Sequence, residues 1–224
     1  MNVAIVGATG YGGIQAVNLL KKNKKYKISF LGGNKTSGSK WNDNFPFIYL
    51  DNDPYIEEIS VVNISKNADV ALLCLPNGLS STLTRKLLDR GLKVIDLSAD
   101  YRYKSLDEWK KVYSKEASIY KRNDDDLCKE AVYGLPEINK EAISKGRLIA
   151  CPGCYPTSIL LPLLPLLKKK LISEKNIIID SKSGYSGAGR KVHKQYAKKN
   201  LYESLSAYGI SGHRHNSEIH QEIA

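Results

Sequence analysis

Val3-Ala4-Ile5-Val6-Gly7-Ala8-Thr9-Gly10-Tyr11-Gly12-Gly13 decides the fold. Four apolar residues with strand character run straight into a glycine-rich turn. Ile14, Val17, Leu19 and Leu20 then mark one face of a helix. Glycines at 7, 10 and 13 between a strand and a helix let the backbone approach a pyrophosphate, which sits on the helix N-terminus. The spacing differs from the common Gly-x-Gly-x-x-Gly, and a plain tight turn would use the same glycines. The place of the turn, directly after the first strand, favours dinucleotide binding. Gly7, Thr9, Gly10, Tyr11, Gly12 and Gly13 are the candidate cofactor contacts.

The same alternation continues along the chain. Lys27 to Leu31 reads as a second strand, ending at Gly32-Gly33. Asp69 to Leu75 is a third, closed by Pro76-Asn77-Gly78. Ser80 to Arg90 reads as a helix stopped by Gly91, and Lys93 to Leu97 as the next strand. Strands alternating with helices argue for an α/β fold with a doubly wound parallel sheet of Rossmann type. Residues 101 to 132 are polar and tyrosine-rich, and read as surface loop and helix. Gly146 to Ala150 is a further strand, and Ile177 to Asp180 another. The helix after Cys154 carries a dense apolar run, with Pro162 and Pro165 expected to kink or shorten it.

The end of the second strand bears on the cofactor. NAD binders usually place an acid there for the ribose 2′-hydroxyl. Here the chain reads Gly32-Gly33-Asn34-Lys35-Thr36-Ser37, a cation and hydroxyls without an acid. That suits a 2′-phosphate, so NADP(H) is the expected cofactor and Lys35 a candidate contact.

The 224 residues carry 34 Lys+Arg against 23 Asp+Glu, a net charge of +11. The lysines cluster after helices, as in Lys21-Lys22-Asn23-Lys24-Lys25 and Lys168-Lys169-Lys170, where cations suit a helix C-terminus. The excess therefore reads as solvated faces, and no nucleic-acid partner is expected. No run approaches the roughly 18 apolar residues that span a membrane. The short N-terminal apolar run lacks the basic flank of a signal peptide, so no membrane partner and a cytoplasmic location are expected. Nothing marks a finished domain edge at Ile223-Ala224, so the chain reads as truncated at its C-terminus.

Cys151-Pro152-Gly153-Cys154-Tyr155-Pro156-Thr157 is the second chemical motif. Its Cys-x-x-Cys spacing admits a metal site, a redox pair or a nucleophile. A zinc site needs about four ligands and no second cysteine pair exists, so no metal is expected. A strand-to-helix turn exposes Cys154 and favours its thiolate, which fits a nucleophile better. Such a thiol needs a proton carrier near neutrality, and histidine supplies one. Three of the four histidines, His213, His215 and His220, crowd the segment after Gly212; His193 stands apart and reads as structural or surface.

Six segments in order along the chain resemble the N-acetyl-gamma-glutamyl-phosphate reductase family, within the semialdehyde dehydrogenase superfamily. They are residues 6–11, Val94 to Arg102, Tyr133 to Glu137, Pro152 to Thr157, Lys182 to Arg190 without Tyr185, and Gly212-His213-Arg214-His215. The resemblance implies a Rossmann domain, placed at 1–147, and a partial α+β substrate and dimerisation domain, placed at 148–224. It implies NADPH-dependent reduction of a small-molecule acyl phosphate, N-acetyl-glutamyl 5-phosphate, to the semialdehyde in arginine biosynthesis. It implies Cys154 as nucleophile and thioester carrier, and His213 as acid/base with His215 as the second choice. Ser186, Gly187, Ala188 and Gly189 are implied as cofactor contacts, and a homo-oligomer (dimer or tetramer) as the full-length state. Arg102 is a candidate anion site for the substrate, since its guanidinium fork matches phosphate or carboxylate, and His215 a further substrate-binding candidate. The sequence departs from the family where Cys151 replaces a usual asparagine, Ser217 a proline and His220 a glutamate. A catalytically impaired fragment that keeps NADP binding, or a related enzyme with another acyl phosphate, are the competing readings.

Overall fold

The computed structural model describes residues 1–189 and 204–224. The chain divides into two compact units, Met1–Pro152 and Gly153–Ala224.

The first unit is built on six strands: β1 (Asn2–Val6), β2 (Lys27–Gly32), β3 (Val70–Leu73), β4 (Lys93–Asp96), β5 (Val132–Tyr133) and β6 (Leu148–Ala150). All pair in parallel in the order β2-β1-β3-β4-β6-β5. Its helices are α1 (Tyr11–Leu20), α2 (Trp41–Asn44), α3 (Val61–Ser65), α4 (Ser81–Leu88), α5 (Leu106–Val112), α6 (Ser114–Ile119), α7 (Asp125–Glu130) and α8 (Pro136–Lys145). Successive side chains of a strand face opposite sides of a sheet. On β1, Val3 and Ile5 accordingly join one apolar cluster, with Ile14, Val17, Leu31 and Trp41. Ala4 and Val6 join the other, with Ala71, Leu73, Leu87 and Val94. A strand covered on both faces must be apolar throughout, which is why β1 reads as an unbroken run.

β6 pairs with β4 and β5 within the first unit, which runs to Pro152. Two expectations are corrected here. Leu19 is 68% exposed, because α1 covers the sheet through Gly13, Ile14 and Val17. Residues 101–132 are no surface excursion. Tyr101, Tyr103, Leu106, Trp109, Tyr113, Leu127 and Cys128 are buried in the second cluster. Arg122 makes that possible. Its guanidinium pairs with Asp124 at 2.9 and 3.1 Å and stacks 4.9 Å from the Tyr101 ring and 4.5 Å from the Trp109 ring. Tyr101 donates its hydroxyl to the same carboxylate at 2.7 Å. A buried charge is tolerated when paired and hydrogen-bonded in this way.

The second unit contains α9 (Cys154–Lys168), a 3-10 turn at Tyr185–Ala188 and α10 (Asn216–Ile223). α9 runs unbroken through Pro162 and Pro165, against the expected kink. Each proline deprives the carbonyl four residues earlier of a donor, here those of Ser158 and Leu161. All four residues lie on the exposed side, where water can serve those carbonyls. Ile177 to Asp180 forms no strand; it has no ladder partner among the described residues, and Ile178 is 94% exposed. Among the described residues no helix is long and apolar enough to cross a membrane.

Candidate functional site

In an open parallel sheet the ligand crevice lies beyond the strand carboxyl ends, where the winding direction reverses. Here that point is between β1 and β3. The turn after β1 is clamped to β2: the amides of Gly7 and Ala8 both donate to the Gly32 carbonyl, at 3.0 and 2.9 Å. Two of its glycines are required by the fold. Gly7 has φ +80°, and a Cβ there would lie 2.4 Å from the Cys74 carbonyl oxygen. A Cβ on Gly13 would lie 2.3 Å from the Gly7 oxygen. Gly10 and Gly12 are different. Their Cβ positions meet nothing closer than 3.5 Å, from the Gly7 oxygen and the Leu97 side chain. The fold does not need glycine there, whereas close approach of a ligand to the backbone does. Gly10 caps α1 without a side-chain hydrogen bond, and the first turn of α1 holds no acid. Its leading amides and positive dipole end therefore suit a pyrophosphate. Thr9 lies against Gly33, and Tyr11 and Lys35 are exposed. The first acids after β2 are Asp43, Asp51 and Asp53, well beyond the turn, and the Glu57 carbonyl accepts the Gly33 amide at 3.0 Å.

Arg102, expected to hold an anion, is only 7% exposed. Its Nε donates to the Cys151 carbonyl at 2.8 Å and its Nη2 to the Leu97 carbonyl at 2.9 Å. The fork thus ties the loop after β4 to the end of β6. Cys151 also donates its amide to Asp96 O at 2.8 Å. Burial and the charge of Asp96 push its thiol up to about 11, and burial with the neighbouring Cys151 and Asp96 pushes Cys74 up to about 12. These thiols are held protonated.

Cys154 is exposed, in the first turn of α9, which contains no acid. The turn is anchored at Gly153. Its carbonyl accepts both the amide and the hydroxyl of Thr157 at 2.9 Å. Its amide donates to Oε1 of Glu218, a carboxylate 0% exposed, at 2.8 Å. This contact fixes the start of α9 and so the place of Cys154.

His213 is half-buried, and its Nδ1 accepts the main-chain N–H of His215 at 3.2 Å. In the neutral ring the proton then sits on Nε2. Burial and the adjacent Arg214 lower its pKa. The ring stands edge-on to Tyr155, with centroids 5.2 Å apart, and 4.7 Å from His215, which is buried. Tyr155 and Tyr208 share a hydroxyl hydrogen bond, and burial followed by that bond pushes Tyr208 up to about 12. An open groove of about 480 Å³ is lined by Tyr155, Lys182, Ser183, Tyr208, His213 and His215, among others. Ser186, Gly187 and Ala188 lie in the exposed 3-10 turn, and Gly189 follows at φ +76°. Arg190 and His193 lie outside the described residues.

Sequence reading missed Tyr155, Tyr208 and Glu218. Tyr155 lay within the Pro152 to Thr157 segment, and Glu218 carried a signal of its own. It is the third helical residue of α10, where a glutamate often returns to its own cap; here it reaches Gly153 instead.

Residues 2–146 match the family model for the semialdehyde dehydrogenase NAD-binding domain, and residues 154–224 that for the semialdehyde dehydrogenase dimerisation domain. The chain belongs to the semialdehyde dehydrogenase family. Among its relatives is the N-acetyl-gamma-glutamyl-phosphate reductase of Prochlorococcus marinus strain MIT 9215, 82% identical over 221 residues. The same-named protein of strain MIT 9211 is 51% identical over 220. The chain spans 63% and 61% of their lengths, while 99% and 98% of it is covered. The solved aspartate semialdehyde dehydrogenase II of Vibrio cholerae shares the fold, with TM-score 0.52 at 23% identity, over 75% of this chain and 46% of that one.

Proposed function

We propose that this chain carries the cofactor-binding and nucleophile-bearing parts of an N-acetyl-gamma-glutamyl-phosphate reductase, acting in the cytoplasm in arginine biosynthesis. One observation carries the reading above all: an exposed Cys154 stands in the first turn of a helix whose capping amide is fixed by Glu218. The relatives at 82% and 51% identity bear the same name. The Cys154 thiolate attacks the acyl carbon of N-acetyl-glutamyl 5-phosphate and expels phosphate, leaving a thioester. NADPH held in the crevice would supply a hydride; with one proton from the histidine, the thioester on Cys154 then becomes a thiohemiacetal. As the thiohemiacetal hydroxyl gives up its proton, the carbon–sulfur bond breaks, releasing the semialdehyde and the Cys154 thiolate. His213, or His215 in its place, carries the proton. His213 suits the task because its Nδ1 is committed to the His215 amide, leaving Nε2 to exchange.

The residues fit the dinucleotide. Gly7 to Gly13, with the α1 amides, would hold its pyrophosphate. Lys35, in a turn without an acid, favours the 2′-phosphate of NADP over NAD. Ser186 to Gly189 are assigned as further contacts on the resemblance alone. Arg102 is read as a brace for two strand ends before an anion ligand. The dimerisation-domain match supports a homo-oligomer for the longer protein. Running the reaction backwards, with semialdehyde, phosphate and NADP, tests the assignment. NADPH absorbance should rise only when phosphate is present. A folded, full-length protein without that phosphate dependence would contradict it.

A further inference from the structure

Two helices begin beside the crevice at the β1/β3 switch point, α1 after the glycine turn and α4 after β3. The turns before them touch. The Leu75 side chain lies 3.2 Å from where a Cβ on Gly7 would stand. Their helix N-termini differ in one respect. That of α1 holds no acid. That of α4 is already occupied, by a side chain from another element.

Asp100, on the loop after β4, is fully buried. Its Oδ1 accepts the Gly78 amide at 2.6 Å and its Oδ2 the Ser81 amide at 2.9 Å. In return Asn77 Oδ1 accepts the Ala99 amide at 3.0 Å. The turn so held is under constraint: Gly78 has φ +84°, and a Cβ there would fall 2.1 Å from the Tyr120 ring. Asp100 is itself backed by the rest of the unit. Its carbonyl accepts Arg122 Nη1 at 2.6 Å, and its amide donates to Ser98 Oγ at 3.1 Å. Ser98 in turn donates to Asp96 at 2.7 Å. Burial and Asp96 push the Asp100 carboxyl up to about 6, opposed by the Gly78 amide and Arg122. Its two oxygens nonetheless accept both amides.

We propose that Asp100 is a positioning residue for the bound dinucleotide. It fixes the Asn77–Ser81 turn as one wall of the crevice. It also occupies the N-terminus of α4, so of these two helices only α1 offers an anion a free terminus. The inference rests on the NADP reading of the crevice.

The test is NADPH affinity, followed through the fluorescence of the reduced cofactor, in wild type, Asp100→Asn and a control, Ile64→Val. Ile64 is buried in α3 and makes no part of this network. An asparagine can accept one amide but turns its own NH2 toward the other. The dissociation constant should rise about tenfold in Asp100→Asn, in line with the loss of a charged acceptor. The control should bind as wild type does, although its Tm is also lowered. If Asp100→Asn does not fold, Asn77→Ala, which unties the half-buried side of the turn, should raise the constant about threefold. Unchanged affinity in a folded Asp100→Asn, or in Asn77→Ala in its place, overturns the role of Asp100. Failure of the wild type to bind NADPH overturns the cofactor reading beneath it.

Discussion

The buried carboxylate of Glu218 accepts the main-chain N–H of Gly153 at 2.8 Å. One residue of α10 thereby sets the start of α9, where Cys154 stands, and that residue follows closely on the His213–His215 segment. Glu218→Ala should leave a buried amide without that acceptor, costing about 1–3 kcal/mol. Urea unfolding would register this as a lower midpoint. Glu218→Gln keeps an acceptor oxygen and should lose less. Equal losses in the two variants would show that the amide contact is not what matters.

Gly10 and Gly13 should separate cofactor binding from folding. Gly13→Ala puts a methyl 2.3 Å from the Gly7 oxygen and should destabilise the fold severely. Gly10→Ala meets only ordinary contact at 3.5 Å, with φ −76° at that position, and should leave Tm nearly unchanged. It should nonetheless weaken NADPH binding, by steric intrusion where the backbone must be approached. A normal NADPH affinity in Gly10→Ala would remove the glycine turn from the cofactor site.

Arg102→Ala should act on stability before it acts on substrate. Two carbonyls, of Cys151 and Leu97, lose their guanidinium donors. The expected cost is about 1–3 kcal/mol in the unfolding midpoint. A variant of wild-type stability with only a raised substrate KM would restore the anion role expected from sequence.

His213 should give the pH profile its acid limb. Its pKa is lowered, first by burial and then by Arg214, so the limb in kcat/KM should fall below the ordinary histidine value of about 6.5. Below that limb the ring is protonated and cannot take a proton. Arg214→Gln removes the second cause and should move the limb upward. A limb that does not move would point to another group.

Much of this was legible because it is local. The β1 run followed by Gly7 and Gly13 announces strand, turn and helix, and both glycines prove sterically compelled. Cys154 at a strand-to-helix turn was equally visible. What escaped depends on partners far away in sequence. Arg122 and Asp124 look like solvated charge until they meet between the rings of Tyr101 and Trp109. Leu19 belongs to the apolar pattern of α1, yet which residues are covered depends on how the helix is seated against the sheet. Ile177 to Asp180 has strand composition, but a strand is made by its ladder partners, not by its residues. Glu218 lies 65 residues from Gly153, and nothing in its neighbourhood names that partner.

The central claim is that Cys154 carries the acyl group. Incubating the protein with the acyl phosphate in the absence of NADPH and measuring its intact and peptide masses tests this directly. The account predicts one N-acetylglutamyl group on the peptide containing Cys154, removable by hydroxylamine and absent in Cys154→Ala. An unmodified thiol in protein that releases phosphate, or an adduct that persists in Cys154→Ala, would contradict it.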